Sequence, residues 1–139
     1  MSHASEMMKE LEYPAYVDRA LMVTCLDALG DCVETCGADE EACLAETAVV
    51  ALRRCTTLDL NCADVCQATL RVLTRAVEFD AEVARAMIGA CLVVCRKCGA
   101  ECRLHGGTYE HCRVCAEACQ RCEEACAGLL KSLERAVVA

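Results

Sequence analysis

Aromatic side chains are scarce in this sequence: they make up 3 % of the residues and there is no tryptophan. The chain therefore lacks the stacking surfaces that single-stranded nucleic acids use, and a net charge of −8 opposes phosphate binding. Long apolar runs are also missing, because arginines such as Arg53, Arg71 and Arg85 interrupt every candidate stretch of about eighteen residues. We expect neither a nucleic-acid partner nor a membrane span.

The N-terminus lacks the uninterrupted apolar stretch of a secretory signal, since Glu6, Lys9 and Glu10 fall within it. We therefore expect a cytoplasmic protein. Disulfides seldom persist in that reducing compartment, so abundant cysteine predicts metal ligation before cross-linking. Composition alone also permits a small secreted disulfide protein whose signal has been removed, although the spacing of the cysteines disfavours it.

Sixteen of the 139 residues are cysteine, and most lie three, four or seven positions from the next. This is the spacing of one face of an α-helix, and it occurs in four separate segments. The four stripes are Cys25, Cys32, Cys36 and Cys43; Cys55, Cys62 and Cys66; Cys91, Cys95, Cys98 and Cys102; and Cys112, Cys115, Cys119, Cys122 and Cys126.

The pattern predicts an all-α protein, an antiparallel up-down-up-down four-helix bundle with a Cys-lined core. We expect an N-terminal extension over residues 1–13, which could contain a short helix, and a bundle over residues 14–139. The expected helices span about 15–45, 48–77, 81–105 and 109–137. Their N-terminal signals are Pro14, Thr47, Asp80 and Thr108.

The order of apolar and cysteine residues along each helix supports this topology. In the first and third helices the aliphatic residues precede the cysteines, whereas in the second and fourth they follow them. Antiparallel packing then gathers all sixteen thiols toward one end and leaves an aliphatic plug at the other.

Among common metals, Cu(I) suits such a core best, because it is soft and accepts two or three sulfur ligands. Replacing each thiol proton by one Cu(I) adds no net charge, so we estimate roughly sixteen ions per chain. Zinc needs four tetrahedral ligands, usually on turns, whereas pairs such as Cys95 and Cys98 lie inside helices. Iron–sulfur clusters favour cysteines on loops near Gly or Pro, and the single proline is far from any cysteine.

Three other residue types bear on the site. His105 and His111 flank the turn at the sulfur-rich end and are candidate copper ligands at its mouth; the alternative is that they cap a helix or are solvated. Met22 and Met87 are assigned to packing near the aliphatic end. Asp59 lies on an inner stripe, where a carboxylate is expected only if it hydrogen-bonds a thiol or stays hydrated, and we hypothesise that it supports the metal ligands from behind.

No grouping of catalytic residues and no phosphate-binding glycine loop occurs, so we do not expect an enzyme. The main alternative function is a thiol redox buffer or sensor that uses the same cysteines. A helical adaptor, in which the cysteines only pack, is a third possibility.

The motifs Cys62-Ala-Asp-Val-Cys66, Cys95-Arg-Lys-Cys98 and Cys112-Arg-Val-Cys115 closely resemble those of the cytosolic copper storage proteins, and the resemblance extends from Tyr16 onward. It implies storage of many Cu(I) ions in a four-helix bundle, with all sixteen cysteines as ligands and His105 and His111 at the mouth. It also implies a homotetramer; a copper chaperone or a small thiol is the expected donor.

One departure from that family is visible between Cys36 and Cys43. Asp39 and Glu40 stand where relatives often keep a further cysteine. The copper capacity and the order of filling can therefore differ in this chain.

Overall fold

The structure is a computed structural model that describes residues 2–138, without the side chains of residues 137 and 138. Residue 139, the end of the expected bundle, lies outside the described residues. The helices are α1 (His3–Met8), α2 (Arg19–Leu44), α3 (Arg53–Leu73), α4 (Ala81–His105) and α5 (Glu110–Val138), with a 3-10 turn at Val49–Leu52. Residues 2–138 contain no strand, which confirms the all-α prediction.

The four long helices form a ring in which α2 packs against α3 and α5, and α4 packs against the same two neighbours. Short connections join consecutive helices, so neighbours run antiparallel. This arrangement confirms the predicted four-helix bundle. The short helix α1 falls within the expected N-terminal extension and packs on α2. None of the helices within residues 2–138 combines the length and hydropathy that a membrane crossing requires.

The first bundle helix starts at Arg19, four residues later than expected from Pro14. The Asp18 carboxylate accepts the Leu21 amide at 3.0 Å and so caps the helix, a role for which Pro14 has no side-chain acceptor. Pro14 instead belongs to a preceding turn, where its carbonyl accepts the Val17 amide at 3.0 Å. At the other end the helix continues through Gly37 and ends at Leu44.

The second bundle helix is shorter than expected at both ends. Thr47 does not cap it; the chain passes through the 3-10 turn, and α3 begins at Arg53 without a side-chain cap. The helix ends at Leu73, where the Tyr13 hydroxyl donates to the Leu73 carbonyl at 2.6 Å and so satisfies one of the last carbonyls of the helix. Tyr13 also packs edge-on against Phe79, with ring centroids 5.7 Å apart. The N-terminal segment thus stabilises the end of α3.

The third and fourth bundle helices lie close to their expected positions. Asp80 caps α4, since its carboxylate accepts the Val83 amide at 3.0 Å. Thr108 was expected to cap α5, but its amide bonds to the His105 carbonyl at 3.1 Å and it belongs to the turn. Helix α5 therefore begins at Glu110.

The end of the bundle away from the sulfur is filled with aliphatic side chains. The largest fully buried ones there are Met22, Leu26, Leu29, Leu73, Ile88, Leu129 and Leu133. Thr69 lies where this region meets the thiols, and its hydroxyl donates to the Val65 carbonyl at 2.8 Å. The aliphatic region closes one end of the core, so the sulfur-rich part opens toward the other.

Replacing Leu133 with Ala should lower the free energy of unfolding of the metal-free protein by about 2–5 kcal/mol, because the substitution leaves a cavity in the aliphatic region. Leu133 is 1 % exposed. Urea denaturation under reducing conditions measures the change. The exposed Lys131, on the same helix, supplies the control: Lys131→Ala should stay within about 0.5 kcal/mol of the parent. Equal losses in the two variants would contradict a plug centred on Leu133.

Candidate metal centre

All sixteen cysteine side chains are buried, none is more than 1 % exposed, and all are free thiols. They come from all four bundle helices, because the cysteine stripe of each helix faces the axis. The predicted Cys-lined core is therefore confirmed. An uncharged thiol packs as a small hydrophobic group, which lets this interior form without metal.

The middle of the core is a compact group of four thiols drawn from three helices. Cys32, Cys36, Cys62 and Cys119 have their sulfur atoms within 4.8 Å of one another. The Cys32 sulfur lies 3.7 Å from that of Cys36 and 3.8 Å from that of Cys62. A soft ion placed among them would reach several sulfur atoms at once.

Toward the aliphatic end the sulfur contacts continue from this group. Cys66, Cys95 and Cys122 form a four-thiol set with Cys32. The Cys66 and Cys95 sulfurs are 3.7 Å apart. The innermost sulfurs are those of Cys25 and Cys126, 3.6 Å apart, and that of Cys91, which donates to the Thr69 hydroxyl at 3.0 Å. Neighbouring sulfur atoms along the core are therefore close enough for one metal ion to bind two of them at once.

Toward the mouth, a buried carboxyl group enters the array. The Asp59 side chain is fully buried, and its Oδ1 atom accepts from the Cys98 thiol at 3.1 Å and from the Cys115 thiol at 3.3 Å. The expected thiol hydrogen bond of Asp59 is present in the structure. Cys55 and Cys102 lie beside it with sulfurs 3.6 Å apart.

Burial raises the pKa of Asp59 to about 12, with the nearby Asp39 carboxyl and the Cys115 and Cys102 thiols acting in the same direction. The carboxyl group is therefore protonated at neutral pH while no metal is bound. A neutral acid among neutral thiols leaves no charge in this part of the core.

The mouth is formed where the C-terminal part of α2 meets the start of α5. His111 Nδ1 lies 2.5 Å from Asp39 Oδ1 and 3.6 Å from the Cys112 sulfur, and Nε2 lies 3.3 Å from Glu46 Oε1. Partial burial acts to lower the pKa of His111, but hydrogen bonds that the ring donates to the Asp39 and Glu46 carboxylates outweigh it, and the pKa is raised. His111 is thus placed against the outermost thiols, as a mouth residue should be.

Asp39 was not singled out as a site residue by the sequence analysis, yet it is buried among the thiols. Its Oδ2 atom lies 3.6 Å from the sulfurs of both Cys55 and Cys102. The available signal was its position three residues after Cys36 and four before Cys43, on the same inward stripe. Burial raises the pKa of the Cys43 and Cys112 thiols, and the Asp39 charge adds to that shift.

His105 and the two methionines are placed differently from His111. His105 Nε2 lies 3.9 Å from Glu101 Oε1 on its own helix. Met22 is fully buried in the aliphatic region, in agreement with a packing role, and Met87 is half-buried, its backbone carbonyl accepting from Thr69.

Known proteins resemble this chain both in sequence and in fold. A family model described as copper storage protein matches residues 18–131. The uncharacterized cysteine-rich protein YhjQ of Bacillus subtilis (strain 168) is 32 % identical over 105 residues, covering 76 % of this chain and 92 % of that protein. The structure of the copper storage protein Ccsp from Streptomyces lividans, loaded with 10 copper equivalents, is similar with a TM-score of 0.87 and 44 % identity over 92 % of this chain and 98 % of that one.

A second solved structure shows a cytosolic copper storage protein from Streptomyces lividans with five coppers. It is 44 % identical to this chain, with a TM-score of 0.79, and the match covers 91 % of this chain and 97 % of that one. The likeness therefore extends over nearly the whole length of each protein.

The raised pKa of Asp59 predicts a pH-dependent stability of the metal-free protein. The folded state keeps a proton that the unfolded state loses above about pH 4, so stability falls by about 1.4 kcal/mol per pH unit as pH rises. Buried thiols that ionise in the unfolded state add to this slope near pH 8, so Asp59→Asn should make the slope shallower by about 1.4 kcal/mol per pH unit without abolishing it. Urea unfolding of the reduced protein at pH 6, 7 and 8 measures it. Asp64→Asn, exposed on the same helix, should keep the parent slope, and an unchanged slope in Asp59→Asn would contradict a buried neutral acid.

Proposed function

This chain belongs to the copper storage protein family, and we propose that it stores many Cu(I) ions in the cytosol through the cysteine thiolates lining its bundle core. The observation that supports this most directly is the continuous array of sixteen buried free thiols. Neighbouring sulfurs along the array lie 3.6–4.0 Å apart, from Cys55 and Cys102 near the mouth to Cys25 and Cys126 at the inner end. An array of this size exceeds what one structural metal ion would use.

The charge of the stored ion follows from the burial of the sulfur. A thiol that exchanges its proton for one Cu(I) keeps the local charge unchanged, whereas divalent ions at many positions would place large charges in a dry interior. Thiolate-only donor sets also favour Cu(I) by their softness. We therefore infer that monovalent copper is the cargo of the core, at roughly one ion per cysteine.

We propose all sixteen cysteines as ligands, together with His111 and His105 at the mouth. The position of His111 beside the Cys112 sulfur favours its part in this set. His105 contacts Glu101 on its own helix, so its place in the ligand set rests on the family resemblance alone. The family is one of storage proteins, and we further infer that this chain does not act as an enzyme and receives copper from a chaperone or a small thiol.

Anaerobic titration of the reduced protein with Cu(I), against a competing chelator, tests the proposal. We expect saturation near sixteen equivalents, and Cys95→Ser should lower the capacity by about one equivalent. Met22→Leu, at a packing position beside the thiols, is the matched control and should keep the full capacity. Saturation after one or two equivalents would reject storage and favour the redox alternative.

The same titration reports on proton exchange. Each Cu(I) should release about one proton from a thiol, so the apparent affinity should fall by about tenfold for each unit by which pH is lowered. The sign follows from the raised pKa of Cys43 and Cys112, which keeps these thiols protonated at neutral pH. Copper binding without proton release would mean that the thiols were already ionised.

We also propose a homotetramer, which rests on the family resemblance. Several large apolar side chains on the outside of the bundle are exposed, including Leu60, Val93 and Leu104, and subunit contacts could cover them. Sedimentation equilibrium of the metal-free protein should give four times the 15.0 kDa chain mass. A single monomeric species at micromolar concentration would contradict this assembly.

A further inference from the structure

Four donor atoms of three chemical kinds meet at the mouth of the bundle. The Sγ atoms of Cys43 and Cys112, a ring nitrogen of His111 and a carboxylate oxygen of Asp39 all lie within 4.8 Å of one another. Asp39 and Cys43 are one turn apart on α2, and His111 and Cys112 are adjacent at the start of α5. Two rigid helices therefore bring the set together, without a contribution from a loop.

This donor set differs in chemistry from the thiol groups deeper in the core. Imidazole nitrogen, carboxylate oxygen and two thiolates are a combination that suits zinc, which binds four such ligands tetrahedrally. The four-atom sets of the core include groups of thiols alone, such as Cys36, Cys98, Cys115 and Cys119, and one in which the buried Asp59 carboxyl group joins Cys98, Cys102 and Cys115. The donor set at the mouth therefore suits a metal ion of borderline softness, whereas the thiols of the core suit a soft ion.

The ring of His111 is held so that the correct nitrogen faces this set. Nε2 lies 3.3 Å from Glu46 Oε1 and can donate its proton there, which leaves Nδ1 directed toward Asp39 and Cys112. A histidine that donates its outer N–H to a carboxylate is the usual arrangement behind a metal-binding imidazole. Asp39 is supported in a similar way, since its other oxygen lies 3.6 Å from the Cys55 and Cys102 thiols.

Charge and solvent access also distinguish the mouth. With a divalent ion, two thiolates and one carboxylate leave one formal negative charge, whereas four thiolates would leave two. The His111 side chain is 23 % exposed and that of Glu46 is 34 % exposed, so water screens the remaining charge. The thiols of the core have no such access, and a divalent ion there would meet the full cost of burial.

We propose that Asp39, Cys43, His111 and Cys112 form a separate site for one divalent ion, of which zinc is the best match, with Glu46 as a positioning residue. The site shares three residues with the proposed copper ligands, Cys43, Cys112 and His111, but it does not depend on copper storage. Zinc remains a poor fit for the core, where the thiol pairs lie inside helices and not on turns.

Anaerobic titration of the full-length, reduced, metal-free protein with Co²⁺ tests the site, because tetrahedral thiolate-bound Co²⁺ has strong visible absorption. We expect one equivalent to bind per chain and to be displaced by one equivalent of Zn²⁺. His111→Ala should weaken Co²⁺ binding by at least about 100-fold, while the matched variant His105→Ala, equally exposed at the same end, should bind as the parent does.

A core variant decides where the ion sits. Cys95→Ser removes a thiol from the middle of the bundle and should leave the Co²⁺ spectrum and stoichiometry unchanged. If Cys95→Ser abolishes the signal and His111→Ala keeps it, the ion lies in the thiol core and the proposal is wrong. An octahedral Co²⁺ spectrum, or no binding, in the parent protein would also overturn it.

The role of Glu46 has its own readout. Glu46→Gln should lower Zn²⁺ affinity by about 10–100-fold while the tetrahedral Co²⁺ bands remain, because the ligands themselves are kept. An unchanged affinity would remove Glu46 from the site. The Cu(I) capacity of an Asp39→Asn protein, measured in parallel, separates failure of this site from failure of copper storage, because Asp39 belongs to the proposed divalent site and not to the proposed copper ligands. Loss of the Co²⁺ signal with copper capacity retained supports two distinct kinds of site.

Discussion

The structure depends on the burial of sulfur in its neutral form. Sixteen thiols with at most 1 % exposure fill the space that aliphatic side chains occupy in an ordinary bundle, and away from the mouth they stay uncharged only while each carries a proton or a monovalent soft cation. Because these two occupants are equivalent in charge, filling the core with such a cation leaves the interior uncharged.

The same constraint makes the two ends of the bundle different. Aliphatic residues close one end around Leu29, Ile88 and Leu133, so the thiols can exchange with solvent only at the opposite end. The polar side chains follow the same direction. Thr69 is the innermost, and its hydroxyl accepts a hydrogen bond from the Cys91 thiol. The carboxyl groups of Asp59 and Asp39 lie closer to the mouth, and the imidazole of His111 lies at the mouth itself.

Much of this arrangement could be predicted from the sequence, because cysteine recurring at helical spacing fixes both the helices and the faces they bury. Asp59 could be placed inside for the same reason. The helix ends were less predictable: Asp18 rather than Pro14 starts α2, and Thr47 and Thr108 lie in turns because other backbone contacts satisfy those positions. His105 and His111 could be placed at the mouth from the sequence, but the contact between Asp39 and His111 could not be predicted, since these residues are 72 positions apart and meet only when α2 packs against α5.

The two buried acids explain how the chemistry can change along one continuous core. Deep in the bundle Asp59 keeps its proton, because the thiols around it and the absence of water oppose a charge there. At the mouth His111, a base, lies against Asp39, and Glu46 and solvent are within reach of its other nitrogen. Asp39 and Asp59 both lie beside the Cys55 and Cys102 thiols, so the change from a neutral to a charged environment occurs between neighbouring side chains. Since the permitted charge decides which cation each donor set can hold, the proposed second kind of site depends both on the different donor atoms of the mouth and on their position nearer to solvent.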